Sequence, residues 1–275
     1  MGTLYLVATP IGNLEDLSPR AVRILREARL IAAEDTRRTR ALLTHFGIHA
    51  PLTSYFEHNK LAKLDKILAE LALGDVALVS DAGTPGINDP GYELVRAALD
   101  AGHAVSPVPG PSAPIAALAA SGLPTDSFLY LGYLPRKKGE RRETIAQMSN
   151  LRHTLVFFET PHRLLESLED LESVLGDRQM CAAREISKVH EEFIRGRISQ
   201  VRAHFTEAEP RGEFVLVVSG QSSAEVPVWE RETLLAAIQK EKKAGKKARQ
   251  IAAALTAPSG WPKRKIYALT LEEAE

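Results

Sequence analysis

The sequence predicts an α/β protein, with two α/β domains followed by a small helical module. Three observations carry that prediction. From Thr3 to Ala120, short apolar runs of strand length alternate with amphipathic stretches, and each run ends in a loop of Gly, Pro and small polar residues. A second series of apolar runs begins near Ser127. Residues 226–275 then change character: they hold no obvious strand beyond a few residues and concentrate positive charge. Strands alternating with helices imply a parallel sheet covered on both faces. The expected domains are therefore 1–120, 121–225 and 226–275.

The elements follow in order. Thr3–Ala8 reads as a strand broken by Thr9-Pro-Ile-Gly-Asn13. Ser18-Pro19 caps a helix to about Arg29, with Ala21, Val22, Leu25 and Ala28 at helical spacing. Leu30–Ala33 is a buried strand delivering Glu34-Asp-Thr-Arg-Arg38. A helix over Leu61–Leu73 leads into the strand Asp75–Ser80, which breaks into small residues carrying one carboxylate, Asp81. The chain restarts as a helix with Asp89 as N-cap and Pro90 in the first helical position, closing at Gly102. Ala104–Val108 is a further strand, ending in Pro109-Gly-Pro-Ser-Ala113 before an alanine-rich helix. Loops 9–13, 34–38, 80–86 and 109–113 should meet at the carboxyl ends of the strands, where open α/β sheets bind ligands. Small side chains there let a ligand reach backbone amides, and Asp81 can accept hydrogen bonds from a ribose or an amine. The plainer alternative for any one of these loops is a tight strand-to-helix turn.

The second series supplies strands at Ser127–Gly132, Thr154–Phe158, Gln179–Ala183 and Glu213–Val218, with helices between them. The final segment reads as helices Trp229–Lys243, Lys246–Leu255 and Lys263–Leu271. Between Lys240 and Tyr267 nine Lys/Arg face one acidic residue, Glu241.

Composition bounds the function. Lys plus Arg equals Asp plus Glu at 35 each, so bulk charge names no partner and any nucleic-acid contact must come from local patches. The single Cys181 fits a reducing compartment. Glu15 and Asp16 stand where the apolar core of a signal peptide would lie, and no apolar run approaches spanning length. A cytoplasmic protein without a membrane partner is expected. No G-x-x-x-x-G-K-[ST] loop, G-x-G-x-x-G fingerprint or nucleophile elbow occurs, and the eight histidines show no metal spacing. Hydrolase, dinucleotide and zinc chemistry are unsupported, and no metal is expected.

Seven separated segments carry a resemblance. They are Thr9-Pro-Ile-Gly-Asn-Leu-Glu-Asp-Leu-Ser-Pro-Arg-Ala21, Ala33-Glu-Asp-Thr-Arg37, Ser80-Asp-Ala-Gly-Thr-Pro-Gly86, Val108-Pro-Gly-Pro-Ser112, Phe157-Phe-Glu-Thr-Pro-His-Arg163, Arg184-Glu-Ile-Ser-Lys-Val-His-Glu-Glu192 and Arg211-Gly-Glu-Phe-Val-Leu-Val217. In this order they resemble the tetrapyrrole methylase superfamily, and within it the ribosomal RNA small subunit methyltransferase I branch. The resemblance implies two α/β domains of tetrapyrrole-methylase type with S-adenosylmethionine (SAM) in a cleft between them, in a homodimer. It implies methylation of the ribose 2′-hydroxyl of a cytidine in the decoding region of 16S rRNA, with 16S rRNA or the 30S subunit as partner. It places Pro10, Asp81, Ala82, Gly83, Thr84, Ser112 and Ala113 against the cofactor, joined by Phe158 and Phe214. The basic tail resembles a small helix-turn-helix-like module.

Departures from the wider superfamily favour RNA over a pigment precursor. Ser80-Asp-Ala82 stands in place of Gly-Asp-Pro, and Ser187 in place of a Thr. A ribose hydroxyl barely ionises at neutral pH, so attack on a sulfonium methyl benefits from a base. Asp35 is the candidate, with Glu159 and Glu185 as alternative acids, and the competing role for Asp35 is to cap the following helix. Arg37 and Arg38 are candidate phosphate contacts, as are Arg136, Lys137 and Lys138 in the basic loop 135–142 and Lys263, Arg264 and Lys265 in the tail. Each set also reads as a solvated face, and the tail as a helical cap on the second domain. His162 and His190 lack a partner in the sequence and read as structural or solvent-facing. Two other functions compete: a tetrapyrrole or other small-molecule methyltransferase, which needs no basic tail, and a non-catalytic ribosome-assembly protein that binds RNA.

Overall fold

The computed structural model describes residues 2–221 and 229–272. The chain divides into two compact units, Met1–Gly220 and Gln221–Glu275. The first unit contains two five-stranded sheets.

Strands β1 (Thr3–Val7), β2 (Leu30–Ala33), β3 (Leu52–Ser54), β4 (Val76–Val79) and β5 (Ala104–Val108) form an all-parallel sheet in the order β3-β2-β4-β1-β5. Every residue of β2 and β4 is buried because helices cover both faces. Ile31, Ala33, Ala77 and Val79 pack with Ala21, Ile24 and Leu25 of α1 (Pro19–Glu27) and Leu43 of α2 (Thr36–His45). Leu30, Ala32, Val76 and Leu78 pack on the opposite face with Ile67 and Leu71 of α3 (Lys60–Leu73) and Leu94 of α4 (Tyr92–Asp100). The chain thus leaves the adjacent strands β1 and β4 toward opposite faces. That divergence is a topological switch point, the place where an open α/β sheet leaves a crevice.

Two expectations are corrected. Asp89 does not cap α4, which begins at Tyr92, two residues beyond the expected start at Pro90, with Gly91 at the N-cap. The loop instead closes on itself, since a Cβ on Gly91 would lie 3.0 Å from the Cα and the N of Gly86. The basic loop 135–142 is a loop only to Lys137. From Lys138 it is helix α6 (Lys138–Gln147), and Arg141 turns inward, 1% exposed, onto Asp170 at 2.7 Å. The sequence reading also lacked β3, only three residues long.

The second sheet comprises β6 (Phe128–Tyr133), β7 (Thr154–Glu159), β8 (Gln179–Arg184), β9 (Glu192–Arg197) and β10 (Phe214–Val218), in the order β6-β7-β10-β8-β9. Only β6 and β7 are parallel. The strand β9, unassigned from sequence because charge interrupts its apolar residues, forms an edge. Helices α6, α7 (Leu164–Leu175) and α8 (Ile198–Glu207) cover one face. The other face receives Ala117 and Leu118 of α5 (Ala113–Ser121), so the helix after β5 joins the two sheets.

The second unit contains α9 (Arg231–Lys243), α10 (Ala248–Ser259) and α11 (Lys263–Glu272) around Leu234, Ile238, Ile251, Leu255 and Ile266. The expected boundary at 225/226 lies outside the described residues. Among the described residues no helix is long and apolar enough to cross a membrane.

Candidate active site

The four loops after β1, β2, β4 and β5 are stitched to one another by backbone and short side chains. Thr9 and Gly83 exchange two backbone hydrogen bonds, at 2.9 and 3.0 Å, and the Thr9 hydroxyl donates to the Ser80 carbonyl. Gly83 has φ +81°, a conformation that L side chains rarely adopt. The Asp35 amide donates to Asp81 Oδ1 at 2.9 Å, the Asp81 amide to Glu34 Oε2 at 3.3 Å, and the Thr84 hydroxyl to the Pro111 carbonyl. Few of these loop side chains are bulky, so the backbones approach closely and leave room on their outer side.

That room is a cavity of about 250 Å³, walled on one side by this rim and on the other by the second sheet. Asp81, Ala82, Gly83, Thr84, Ser112, Ala113, Phe158, Phe214 and Glu159 all line it. Pro10 does not: it faces a neighbouring concavity with Leu14, Thr39 and Leu42, and only Asp81 and Arg38 border both. The Phe214 ring is buried in the second core, 5.2 Å from Phe205. The aromatic wall is made by Phe158 and Tyr133, whose ring centroids lie 5.4 Å apart. Tyr133 was missed because the strand was expected to stop at Gly132. Ile11, Ile186 and Lys188 complete the contact between rim and second sheet. Among the described residues no cluster of His, Cys, Asp or Glu suits a metal ion.

The predicted acids separate by geometry. Asp35 caps α2, its side chain accepting from the Arg37 amide at 2.8 Å and pairing with the Arg37 guanidinium at 2.9 Å. Those Arg37 bonds hold its carboxyl down to about 2, which makes it a weak proton acceptor. Glu159 is buried beneath the cavity wall, accepting from the Thr160 amide at 2.8 Å and the Ser167 hydroxyl at 2.5 Å, with Arg163 at 3.5 Å. Glu185 is bound by Lys188 and by the Glu213 amide, each at 2.9 Å. His162 and His190 face solvent.

Two further carboxylates stand in the cavity, Glu34 and Asp89. Burial pushes Glu34 up, partly offset by the Asp81 amide. Burial, then the neighbouring Glu34 carboxylate, pushes Asp89 up to about 6. Neither was singled out as a site acid from sequence, since Asp-Pro-Gly at 89–91 reads locally as a cap.

Of the cations, Arg37 and Arg38 are exposed on α2, and Arg38 reaches Asp81 at 3.4 Å. Arg136, Lys137 and Lys138 are exposed, with Lys137 paired to Glu140 and Lys138 to Glu169. Lys263, Arg264 and Lys265 are exposed on α11. Within that unit Lys263, Arg264, Tyr267 and Arg249 line a shallow concavity.

A parallel sheet with its crevice at a switch point, facing a second mixed sheet across a cavity of small, acidic and aromatic residues, defines a class. The chain belongs to the tetrapyrrole methylase family: the profile for Tetrapyrrole (Corrin/Porphyrin) Methylases matches residues 3–202. Among its relatives it is similar over nearly its whole length to proteins named ribosomal RNA small subunit methyltransferase I. The protein of that name from Halalkalibacterium halodurans is 45% identical, covering 99% of this chain and 96% of the relative. The one from Synechocystis is 46% identical, covering 99% and 98%. Solved structures share the fold at lower identity. The methyltransferase CobJ aligns with a TM-score of 0.61 at 18% identity, over 81% of this chain and 95% of that one. Uroporphyrin-III C-methyl transferase from Thermus thermophilus, complexed with S-adenyl homocysteine, aligns with a TM-score of 0.55 at 21% identity, over 79% and 97%.

Proposed function

We propose that this chain is a SAM-dependent RNA methyltransferase that methylates the ribose 2′-hydroxyl of a cytidine in the decoding region of 16S rRNA. It acts in the cytoplasm as a homodimer, on the free rRNA or the 30S subunit. The observation that carries the reading is near full-length likeness to rRNA small subunit methyltransferases, tail included. The residues fit the cofactor. SAM is a cation with a flat adenine, and the cavity offers Asp81 and Glu34 for the charge, Phe158 and Tyr133 for a flat ring, and small side chains at Ala82, Gly83 and Ala113. When bound, SAM supplies an electrophilic methyl on a sulfonium, and the protein contributes alignment. In this reading Arg37, Arg38, Arg136, Lys137 and Lys138 hold phosphates around the cavity mouth, positioning the ribose without reading bases.

The test is transfer from radiolabelled SAM to unmodified 30S subunits, with free 16S rRNA and uroporphyrinogen III as parallel acceptors. Label in an alkali-resistant dinucleotide is expected. Label on the tetrapyrrole alone would replace the RNA reading with a small-molecule one, and no label at all would favour an assembly protein.

The tail is assigned to phosphate binding. Replacing Lys263, Arg264 and Lys265 together by Ala is expected to weaken RNA binding and flatten its salt dependence by roughly two charges, with SAM affinity unchanged. A shift in SAM affinity instead of RNA affinity would assign the tail to structural support.

A further inference from the structure

The geometry points to Asp89, rather than Asp35 or Glu159, as the general base that takes the proton from the ribose 2′-hydroxyl. The assignment rests on the RNA methyltransferase reading above and goes beyond it by naming the group.

Five carboxylates border the cavity: Glu34, Asp81, Asp89, Glu159 and Glu213. Asp81 pairs with Arg38 at 3.4 Å, Glu159 with Arg163 at 3.5 Å and Glu213 with Lys188 at 3.1 Å. Among the described residues only Glu34 and Asp89 of the five have no ion pair. Glu34 already accepts the Asp81 amide and so braces the rim. Asp89 has no such ion pair and no rim amide to brace; it lines the cavity with the Ser80 hydroxyl as its hydrogen-bonding neighbour.

The loop is built to hold it there. Asn88 sits in the left-handed region at φ +64°, which Asn enters more readily than most side chains, and its Oδ1 accepts from the Tyr130 hydroxyl at 3.1 Å. Gly132 on β6 closes over the same side chain, so close that a Cβ would lie 2.5 Å from Asn88 Oδ1. A left-handed residue pinned from the second sheet thus holds the loop that carries the neighbouring carboxylate.

The groups facing Asp89 are Glu34 at the end of β2, Asp81 after β4, and Tyr130 and Tyr133 on β6. None is a cation; burial first, then the Glu34 carboxylate, raises its proton affinity to about 6 against a lowering hydrogen bond from the Ser80 hydroxyl, near the working range of a general base. In the proposed step the 2′-oxygen forms a bond to the sulfonium methyl carbon. The sulfur–carbon bond breaks with its electron pair going to sulfur, and the hydroxyl proton passes to Asp89. Asp35, held near 2 by Arg37, accepts that proton poorly.

The experiment compares wild type, Asp89→Asn and Asp35→Asn. Three readouts are taken: kcat on 30S subunits at saturating SAM, S-adenosylhomocysteine affinity by calorimetry, and melting temperature between pH 4.5 and 8.5. Asp89→Asn is expected to lower kcat by about 100-fold or more while changing product affinity by less than about threefold. Wild-type kcat should fall as pH drops through about 6. The raised carboxyl costs folding stability once ionised, so the variant should melt higher than wild type above pH 6 and lose that advantage toward pH 4.5. A purely structural Asp89 would give the reverse, a variant that melts lower at every pH. Normal kcat in Asp89→Asn overturns the assignment, as does a rate loss explained wholly by lost product affinity. A rate loss in Asp35→Asn alone returns the role to Asp35. A wild type that labels no RNA would sink the RNA reading together with this assignment, whereas an active Asp89→Asn beside an active wild type sinks the assignment alone.

Discussion

Arg141→Ala is expected to lower the melting temperature by roughly 10 °C, through a loss of about 3–5 kcal/mol. Arg141 and Asp170 are the most completely buried ion pair described, each side chain 1% exposed, with Nε to Oδ2 at 2.7 Å. The guanidinium also donates to the Arg136 carbonyl at 3.2 Å and reaches Glu166 at 3.3 Å. Asp170 has little else, since its second oxygen lacks a hydrogen bond and Arg142 lies 3.9 Å away. Truncating Arg141 strands a carboxylate among the apolar residues of α6 and α7, and burial of an unpaired charge costs more than the pair contributes. The double substitution Arg141→Met with Asp170→Leu should therefore recover most of the loss. Thermal melting of the three variants checks this, and a double variant no more stable than Arg141→Ala would contradict the account.

Gly12→Val is expected to weaken cofactor binding although Gly12 lies outside the cavity lining. A Cβ on Gly12 would lie 2.4 Å from Lys188 Cγ and 3.1 Å from the Ile186 carbonyl oxygen. The clash involves a stem carbon and backbone, neither of which can swing away cheaply. Gly12 follows Ile11, and Ile11, Ile186 and Lys188 all line the cavity, so relief of the overlap must part the rim from the second sheet. Overpacking of this kind costs about 1–3 kcal/mol, which corresponds to roughly 5- to 150-fold in affinity if the cleft absorbs it. Calorimetry with S-adenosylhomocysteine measures the loss. Gly139→Ala, where an added Cβ meets nothing within 4 Å, is the matched control and should bind normally.

The strands were legible because their signals are local. Leu30–Ala33 and Ala104–Val108 match the expected bounds, and Ser18 caps α1 as its sequence implies. An apolar run punctuated by Gly and Pro needs no knowledge of its neighbours. The strands that escaped notice, Leu52–Ser54 and Glu192–Arg197, are edges of their sheets, where one flank is free and apolar residues need not dominate. The start of α4 was misplaced because Asp89-Pro90 satisfies every local rule for a helix start, while contacts with Gly86, Tyr130 and Gly132 from other elements hold it in a loop.

By itself the sequence determined the succession of elements, the four loops that meet at the crevice and the family to which the chain belongs, since these are written in short segments. Only the tertiary structure decided what each carboxylate does. Asp35 is drawn down by an arginine two residues away, Glu159 is committed to Ser167 and Arg163, and Asp89 is raised by burial beside Glu34. Proton affinity depends on burial and on charges brought close by the fold, and most of Asp89's neighbours lie on other strands.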